Sequence, residues 1–259
     1  MLPIITTIFG KPVWSYQIMA ILGIFAAGIY ACRICKKTNH DDNEAIVFLL
    51  TISIGVLVGG SLLYLIVNIK DVILILNNVS INSFRDFFNV FRILFGGSVF
   101  YGGLLGGILT AVIFIHKKPH YRYLVDIAVP AIPLFHFFGR IGCFLGGCCY
   151  GIESACGFTM RHSLIAEANG VSRFPVQLLE ALFNITLFVV LDYFRKKNMF
   201  GNKLIYVYLL SYSAGRFFIE YLRGDAHRGF LLIFSTSQII SMALFCASLF
   251  VLARKKEPN

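Results

Sequence analysis

Seven apolar runs constrain the fold of this chain more than any other feature of its sequence. Each is long enough to cross the roughly 30 Å hydrocarbon core of a bilayer as a helix. Hydrophobic residues make up 58% of the 259 residues and charged residues only 14%, which is too apolar for a soluble domain. The sequence therefore predicts an all-α integral membrane protein, one domain over residues 1–259. The seven predicted transmembrane helices cover approximately residues 14–32, 45–69, 96–115, 121–139, 174–194, 203–223 and 234–253.

Basic residues between the apolar runs predict how the helices are oriented. Lys and Arg concentrate in cytoplasmic loops of membrane proteins. With seven spans, four basic clusters fall on one side, which places the N-terminus outside and the C-terminus in the cytoplasm. The same bias explains the net charge of +10, and we expect no nucleic-acid partner because no basic soluble domain is present. The clusters are Arg33, Lys36 and Lys37; Lys117, Lys118 and Arg122; Arg195, Lys196, Lys197 and Lys203; and Arg254, Lys255 and Lys256.

Two connections on the predicted external side are long. The segment at about 70–95 predicts either an amphipathic helix in the outer interface or an extension of the third span. Its phenylalanines recur at close to helical spacing. The polar segment at 151–173 is long for a connection in a compact fold, so it is either mobile or part of a binding surface. The phenylalanines are Phe84, Phe87, Phe88, Phe91 and Phe95.

Polar side chains inside the apolar runs mark a candidate site. Arg140 lies at the predicted outer end of the fourth span, within the Gly- and Cys-rich stretch 136–151. An arginine there is a functional candidate, because burying its charge without a partner is costly. Two further polar faces follow helical spacing. They are Gln177, Glu180 and Asn184 in the fifth span, and Tyr212, Arg216, Glu220 and Arg223 in the sixth.

Topology places these groups at one depth, together with Tyr16 and Tyr101 near the outer starts of the first and third spans. Guanidinium groups match phosphate oxygens in a planar, bidentate way. Arg140 and Arg216 at the level of the outer lipid headgroups therefore predict a phosphate site. The alternative is an internal Arg216–Glu220 salt bridge that only holds helices together.

Glycines in the third span, spaced four apart, predict a close helix–helix contact. They are Gly102 with Gly106, and Gly103 with Gly107.

The chain contains seven cysteines, and four of them cluster near the predicted external mouth of this site. An external location favours disulfides, whereas the spacing also allows a metal. The Cys-x-x-Cys pair at residues 32 and 35 has no evident partners and is read as incidental. The four clustered residues are Cys143, Cys148, Cys149 and Cys156.

Several motifs, taken in order over nearly the whole chain, resemble the prolipoprotein diacylglyceryl transferase family. The resemblance implies a bacterial seven-span enzyme of the cytoplasmic membrane. Such an enzyme moves a diacylglyceryl group from phosphatidylglycerol to the lipobox cysteine thiol of a preprolipoprotein signal peptide and releases glycerol phosphate. The motifs are Tyr16 in Trp-Ser-Tyr-Gln, Tyr101-Gly-Gly-Leu-Leu-Gly, Gly139-Arg-Ile-Gly-x-Phe with Gly147 and Gly151, Pro175-x-Gln-Leu-x-Glu-Ala, and Arg216-Phe-Phe-Ile-Glu-x-x-Arg.

Roles for individual residues follow from the same resemblance. Arg140 and Arg216 would bind the lipid phosphate, Glu220 would orient Arg216, and Tyr101 would be the third catalytic residue. No metal or nucleotide cofactor is expected. The residues that would line or support the substrate pocket are Tyr16, Gly103, Gln177, Glu180, Tyr212, Glu220 and Arg223.

Three positions depart from the pattern of that family. Tyr101 stands where members have a histidine, Cys143 where they have an asparagine, and Cys148 where they have an acidic residue. An unperturbed phenol titrates near 10 and is a poor base at neutral pH, so the general base is left open. Two alternatives therefore accompany the main hypothesis: a phosphatidylglycerol-dependent enzyme of the same fold with a different acceptor, and a non-catalytic membrane transporter that binds thiols or metals.

Overall fold

The structure is a computed structural model that describes residues 1–8, 10–78, 83, 84, 86, 88, 90, 99–163, 165–225, 230, 231 and 233–254. The chain forms two compact units. The first comprises Met1–Asp42 together with Tyr123–Asn259, and the second comprises Asn43–Arg122.

The α-helices are α1 (Ser15–Lys37), α2 (Asp42–Val67), α3 (Ile69–Asn78), α4 (Phe100–Lys117), α5 (Tyr123–Gly146), α6 (Val176–Lys196), α7 (Leu204–Ile219) and α8 (Thr236–Ala253).

Helix α5 is central to the first unit. It packs against α1, α6 and α7, and α8 packs on α7. It contains Pro130 and Pro133, which neighbouring helices allow in an apolar bundle. Because α5 contacts three other helices, polar side chains near its end can meet partners from α6 and α7.

A helix forms in the described part of each of the seven predicted apolar runs. Within the described ranges, six helical stretches are long and apolar enough to cross a membrane: α1, α2, α4, Pro119–Gly146 (which includes α5), α6 and α8. The predicted sixth span is shorter as an α-helix. Its 16 residues in α7 are flanked by 3-10 turns at Gly201–Lys203 and Glu220–Leu222. The chain is thus a predominantly helical, multi-pass membrane protein.

Three small antiparallel sheets lie outside the helices. They consist of β1 (Ile4–Ile8) with β2 (Lys11–Trp14), β3 (Glu153–Thr159) with β4 (Ser172–Arg173), and β5 (Phe230–Leu231) with β6 (Phe234–Ser235). The helical pattern did not predict them. The long connection at 151–173 forms the β3–β4 pair, and the Asn169 side chain closes its loop by bonding both the backbone N–H and the carbonyl of Ser163.

Helices α2 and α4 of the second unit pack through glycines, as the spacing in the third predicted span indicated. A Cβ at Gly106 would meet the carbonyl oxygen of Gly55 and lie 2.9 Å from the Cα of Gly59. A Cβ at Gly102 would likewise meet the carbonyl of Gly59. Only glycine allows the two backbones to approach this closely.

The predicted amphipathic segment at 70–95 is described only in part. Helix α3 covers its beginning. Phe87, Phe91 and Phe95 lie outside the described residues, so the prediction of an interfacial helix there stays a prediction.

Candidate active site

Glu180 on α6 lies between two buried arginines of the first unit. Its Oε2 is 2.5 Å from Nε of Arg140 on α5, and its Oε1 accepts a hydrogen bond of 2.7 Å from Nη1 of Arg216 on α7. The two guanidinium groups therefore converge on one carboxylate, each from a different helix. The structure brings together the pair that the sequence predicted to meet.

A second carboxylate balances the charge. Oε2 of Glu220 lies 2.5 Å from Nη2 of Arg216, one helical turn away. All four side chains are buried, with exposed fractions of 8% for Arg140, 5% for Arg216 and 3% for each glutamate. Two positive and two negative charges then cancel inside an apolar bundle, where an unbalanced charge would be costly.

His136 extends this network, although the sequence analysis gave it no role. It is buried one turn before Arg140, and its Nε2 accepts a hydrogen bond of 3.1 Å from Nε of Arg140. The Nε2 atom is thus unprotonated in this arrangement. The four-residue spacing of His136 and Arg140 was the available signal, since such pairs share a helix face.

Aromatic and amide side chains enclose the charged groups. The ring of Tyr212 packs against His136 at 5.5 Å between centroids and against Tyr208 at 5.7 Å. Gln177, one turn before Glu180, donates a 2.8 Å hydrogen bond from Nε2 to the carbonyl of Cys148. Gln177, Glu180 and Asn184 are all buried, as their shared face predicted.

A turn rich in glycine and cysteine follows α5 and borders the charged site. Gly147 and Cys149 have positive φ angles of 74° and 52°, and the backbone N–H of Cys148 returns to the carbonyl of Cys143 at 3.1 Å. The thiol sulfurs of Cys143, Cys148 and Cys149 consequently lie within 4.8 Å of one another. All seven cysteines of the chain are free thiols, including the exposed Cys156.

The electrostatics of this turn favour a thiolate at Cys149. Hydrogen bonds from Cys143 and Cys148 hold the pKa of the Cys149 thiol well below its usual range. Burial acts in the opposite direction, and the positive charges of Arg223 and Arg140 lower the pKa further. Positive groups near a sulfur lower its pKa because they stabilise the anion.

Arg223 and Tyr16 lie at the edge of the site. Arg223 forms a bidentate ion pair with Asp225, with Nε to Oδ1 at 2.9 Å and Nη2 to Oδ2 at 2.5 Å, and its backbone pairs with Gly151. Tyr16 is half exposed at the start of α1, where its ring lies 3.1 Å from the position that a Cβ on Gly142 would take.

Tyr101 and Gly103 belong to the second unit. Both are buried in the first turns of α4, and a Cβ on Gly103 would lie 3.1 Å from Cγ1 of Val56. The contacts of Gly103 are therefore those of a packing residue. The predicted roles of both residues at the substrate stay predictions.

The geometry suits recognition of an anion by Arg140. Its contacts with Glu180 and His136 both use Nε. Arg216 instead uses both terminal nitrogens on carboxylates. Paired N–H donors on a guanidinium match two oxygens of a phosphate.

The bundle and its site define the class of protein: a multi-pass membrane protein with a charge-balanced arginine–glutamate cluster buried among three helices. Residues 3–254 match the family model described as prolipoprotein diacylglyceryl transferase. The chain belongs to the prolipoprotein diacylglyceryl transferase family, which is a family of enzymes.

Relatives from three bacteria are similar over most of their length. The phosphatidylglycerol–prolipoprotein diacylglyceryl transferase of Clostridium tetani is 32% identical over 254 residues, covering 97% of this chain and 96% of its own. The protein of Clostridium perfringens named phosphatidylglycerol–prolipoprotein diacylglyceryl transferase 2 is 38% identical, covering 91% and 88%. The Enterococcus faecalis transferase is 30% identical, covering 97% and 90%.

Proposed function

We propose that this protein transfers the diacylglyceryl group of phosphatidylglycerol to the lipobox cysteine thiol of preprolipoproteins. In this reaction a C–S bond forms, the neighbouring C–O bond breaks, and glycerol phosphate leaves with the electron pair while the thiol loses its proton. The names of the relatives and the match to the family model support these substrates. The observation that carries the proposal is the convergence of Arg140 and Arg216 on Glu180.

Arg140 is the residue proposed to bind the lipid phosphate. Its terminal nitrogens would hold the phosphate oxygens while negative charge develops on the departing glycerol phosphate. Donors placed where charge develops can account for about 10²–10³-fold in rate. Arg216, held between Glu180 and Glu220, would add positive electrostatic potential at the phosphate. It would also hold in place the Glu180 carboxylate, which orients Arg140.

The other predicted residues would shape the pocket. Gln177 fixes the turn after α5 through the carbonyl of Cys148, and Tyr212 packs beside the His136–Arg140 pair. Tyr16 and Arg223 would contribute to the wall where the lipid and the signal peptide enter, and Tyr101 keeps the catalytic role that the family resemblance implies for it.

The proposed setting is the bacterial cytoplasmic membrane, with seven spans, an external N-terminus and a cytoplasmic C-terminus. The four basic clusters and seven helical runs support this orientation. It places Arg140 at the level of the outer headgroups. Both structural units would form one transferase domain, because the family match spans both of them.

A reconstituted reaction tests the proposal. Purified protein in vesicles containing phosphatidylglycerol should add a diacylglyceryl mass to a lipobox peptide and release glycerol phosphate. Arg140→Ala and Arg216→Ala should each abolish the transfer. Arg122→Ala should not, because Arg122 is exposed after α4.

Two outcomes would contradict the proposal. An unmodified lipobox peptide in the presence of consumed phosphatidylglycerol would indicate another acceptor. A normal rate in a folded Arg140→Ala variant would show that this guanidinium does not bind the phosphate.

A further inference from the structure

Three thiols converge next to the arginine site. Cys143 is on the last turn of α5, three residues after Arg140, and Cys148 and Cys149 follow the turn at Gly147. Their sulfur atoms lie within 4.8 Å of one another. Cys143 is buried, and Cys148 and Cys149 are partly buried. None of the three thiols is fully exposed to solvent.

Disulfide bonding cannot use all three thiols. Adjacent residues have Cα atoms about 3.8 Å apart across a trans peptide, whereas disulfides ordinarily join Cα atoms about 4.4–6.8 Å apart. Cys148 and Cys149 are therefore poorly placed to pair with each other. A disulfide from Cys143 to either one leaves the third thiol beside it.

A thiophilic metal ion can use all three sulfurs at once. Zinc binds thiolates at about 2.3 Å in tetrahedral geometry, which sets sulfur atoms about 3.8 Å apart. The three sulfur atoms, all within 4.8 Å of one another, are already close to that spacing. The backbone is already folded for it by the hydrogen bond from Cys148 N–H to the Cys143 carbonyl and by the bond from Gln177 to the Cys148 carbonyl.

The net charge of such a site is small. Three thiolates and a divalent ion carry a net charge of −1, and the positively charged Arg140 lies one helical turn before Cys143 on α5. A zinc site with three protein ligands is characteristically one that keeps its fourth position for water or substrate.

We propose that Cys143, Cys148 and Cys149 bind a zinc-class divalent ion as three thiolates, and that the acceptor thiol takes the fourth position. The second half of this proposal rests on the proposed function. The acceptor thiol loses its proton to solvent on binding, because a coordinating thiol is deprotonated. The thiolate then forms the C–S bond while the C–O bond of the lipid breaks and glycerol phosphate leaves with that electron pair, so no group is oxidised or reduced.

Metal stoichiometry tests the first half. Protein purified under reducing conditions is equilibrated with Zn²⁺ and passed through a desalting column, and bound metal per chain is measured by mass spectrometry. We expect one ion per chain, lost in Cys148→Ser and in Cys149→Ser. Cys246→Ser is the matched control and should keep the ion, because Cys246 is exposed on α8.

Cobalt substitution tests the second half. Co²⁺ bound to thiolates has visible and charge-transfer bands that change when a ligand is added. A lipobox peptide should change these bands in the Co²⁺-loaded protein, and the same peptide with serine in place of cysteine should not.

Three results would overturn the proposal in whole or in part. Fully reduced protein that binds no ion, or Cys148→Ser and Cys149→Ser variants that bind as well as the parent, would exclude the metal site. Identical spectra with the cysteine and serine peptides would exclude the acceptor thiol as fourth ligand. Absence of lipid transfer with normal metal binding would instead contradict the proposed function and leave the metal site standing.

Discussion

Each oxygen of the Glu180 carboxylate contacts a different buried arginine, Oε2 that of Arg140 and Oε1 that of Arg216. Removing this one negative charge would leave two guanidinium groups facing only Glu220. A buried charge without its partner is strongly destabilising, whereas the intact pair need not be stabilising overall. At the scale of single residues, Glu180 therefore positions both arginines.

Glu180→Gln should lower both stability and activity. The amide keeps the size of the side chain but cannot neutralise the two arginines. We expect a loss of about 3–5 kcal/mol in unfolding free energy, measured by denaturation of the purified protein in detergent. Glu167→Gln, at an exposed position, is the control and should unfold like the parent.

Lysine substitutions should separate the roles of the two arginines. Arg140→Lys keeps a positive charge near Glu180 but loses the paired donors of the guanidinium. We expect transfer to fall about 10²–10³-fold with a small change in stability. Arg216→Lys should lose stability as well, because one amine replaces a group that contacts two carboxylates. Equal stability losses in both variants would contradict this division of roles.

At the scale of secondary structure, the glycines of α2 and α4 determine how closely these helices pack. Backbone atoms of each helix occupy the positions that a Cβ on the other would need. Apolar surface alone provides little drive for helix association in lipid, so this close van der Waals contact is important for the pair. The two helices of the second unit thus depend on residues that carry no side chain.

Gly106→Ala should destabilise the protein, whereas Gly28→Ala should not. The new Cβ of Gly106→Ala would meet the carbonyl of Gly55, and relieving such overpacking typically costs about 1–3 kcal/mol. Gly28 lies in α1 with no atom within 4 Å of its Cβ position, so alanine there should be neutral or stabilising by up to about 1 kcal/mol. Thermal unfolding of both variants in the same detergent provides the comparison.

At the scale of the whole molecule, the proposed topology depends on whether α7 crosses the membrane. Its α-helical part has 16 residues, and the flanking 3-10 turns at Gly201–Lys203 and Glu220–Leu222 extend it. A seven-span chain places its N- and C-termini on opposite sides, and a six-span chain places them on the same side.

Reporter fusions should establish the number of spans. Green fluorescent protein, which fluoresces in the cytoplasm, should be bright when fused after Lys197 and after Arg254. Alkaline phosphatase, which is active outside the cytoplasm, should be active when fused after Gly170 and after Ile233. Bright fluorescent fusions after both Lys197 and Ile233 would show that α7 does not cross.

Much of the helical architecture could be predicted from the sequence because the bilayer imposes a simple requirement. A helix that crosses hydrocarbon needs about 20 apolar residues, so hydropathy locates α1, α2, α4, α5, α6 and α8. The polar faces of α6 and α7 were also predictable, since residues spaced three or four apart share a face. The small sheets were missed, because strands such as β4 are too short to give a periodic pattern.

Sequence alone thus determined the helical membrane fold, the transferase-like motifs and the arginines that had to find partners, because each depends on local composition and spacing. Tertiary structure decided that Glu180 would join Arg140 and Arg216, that His136 would contact Arg140, and that three cysteines would converge. These contacts join helices or turns whose relative rotation and depth are set by packing. No spacing along one helix specifies which oxygen of one side chain will face which nitrogen of another.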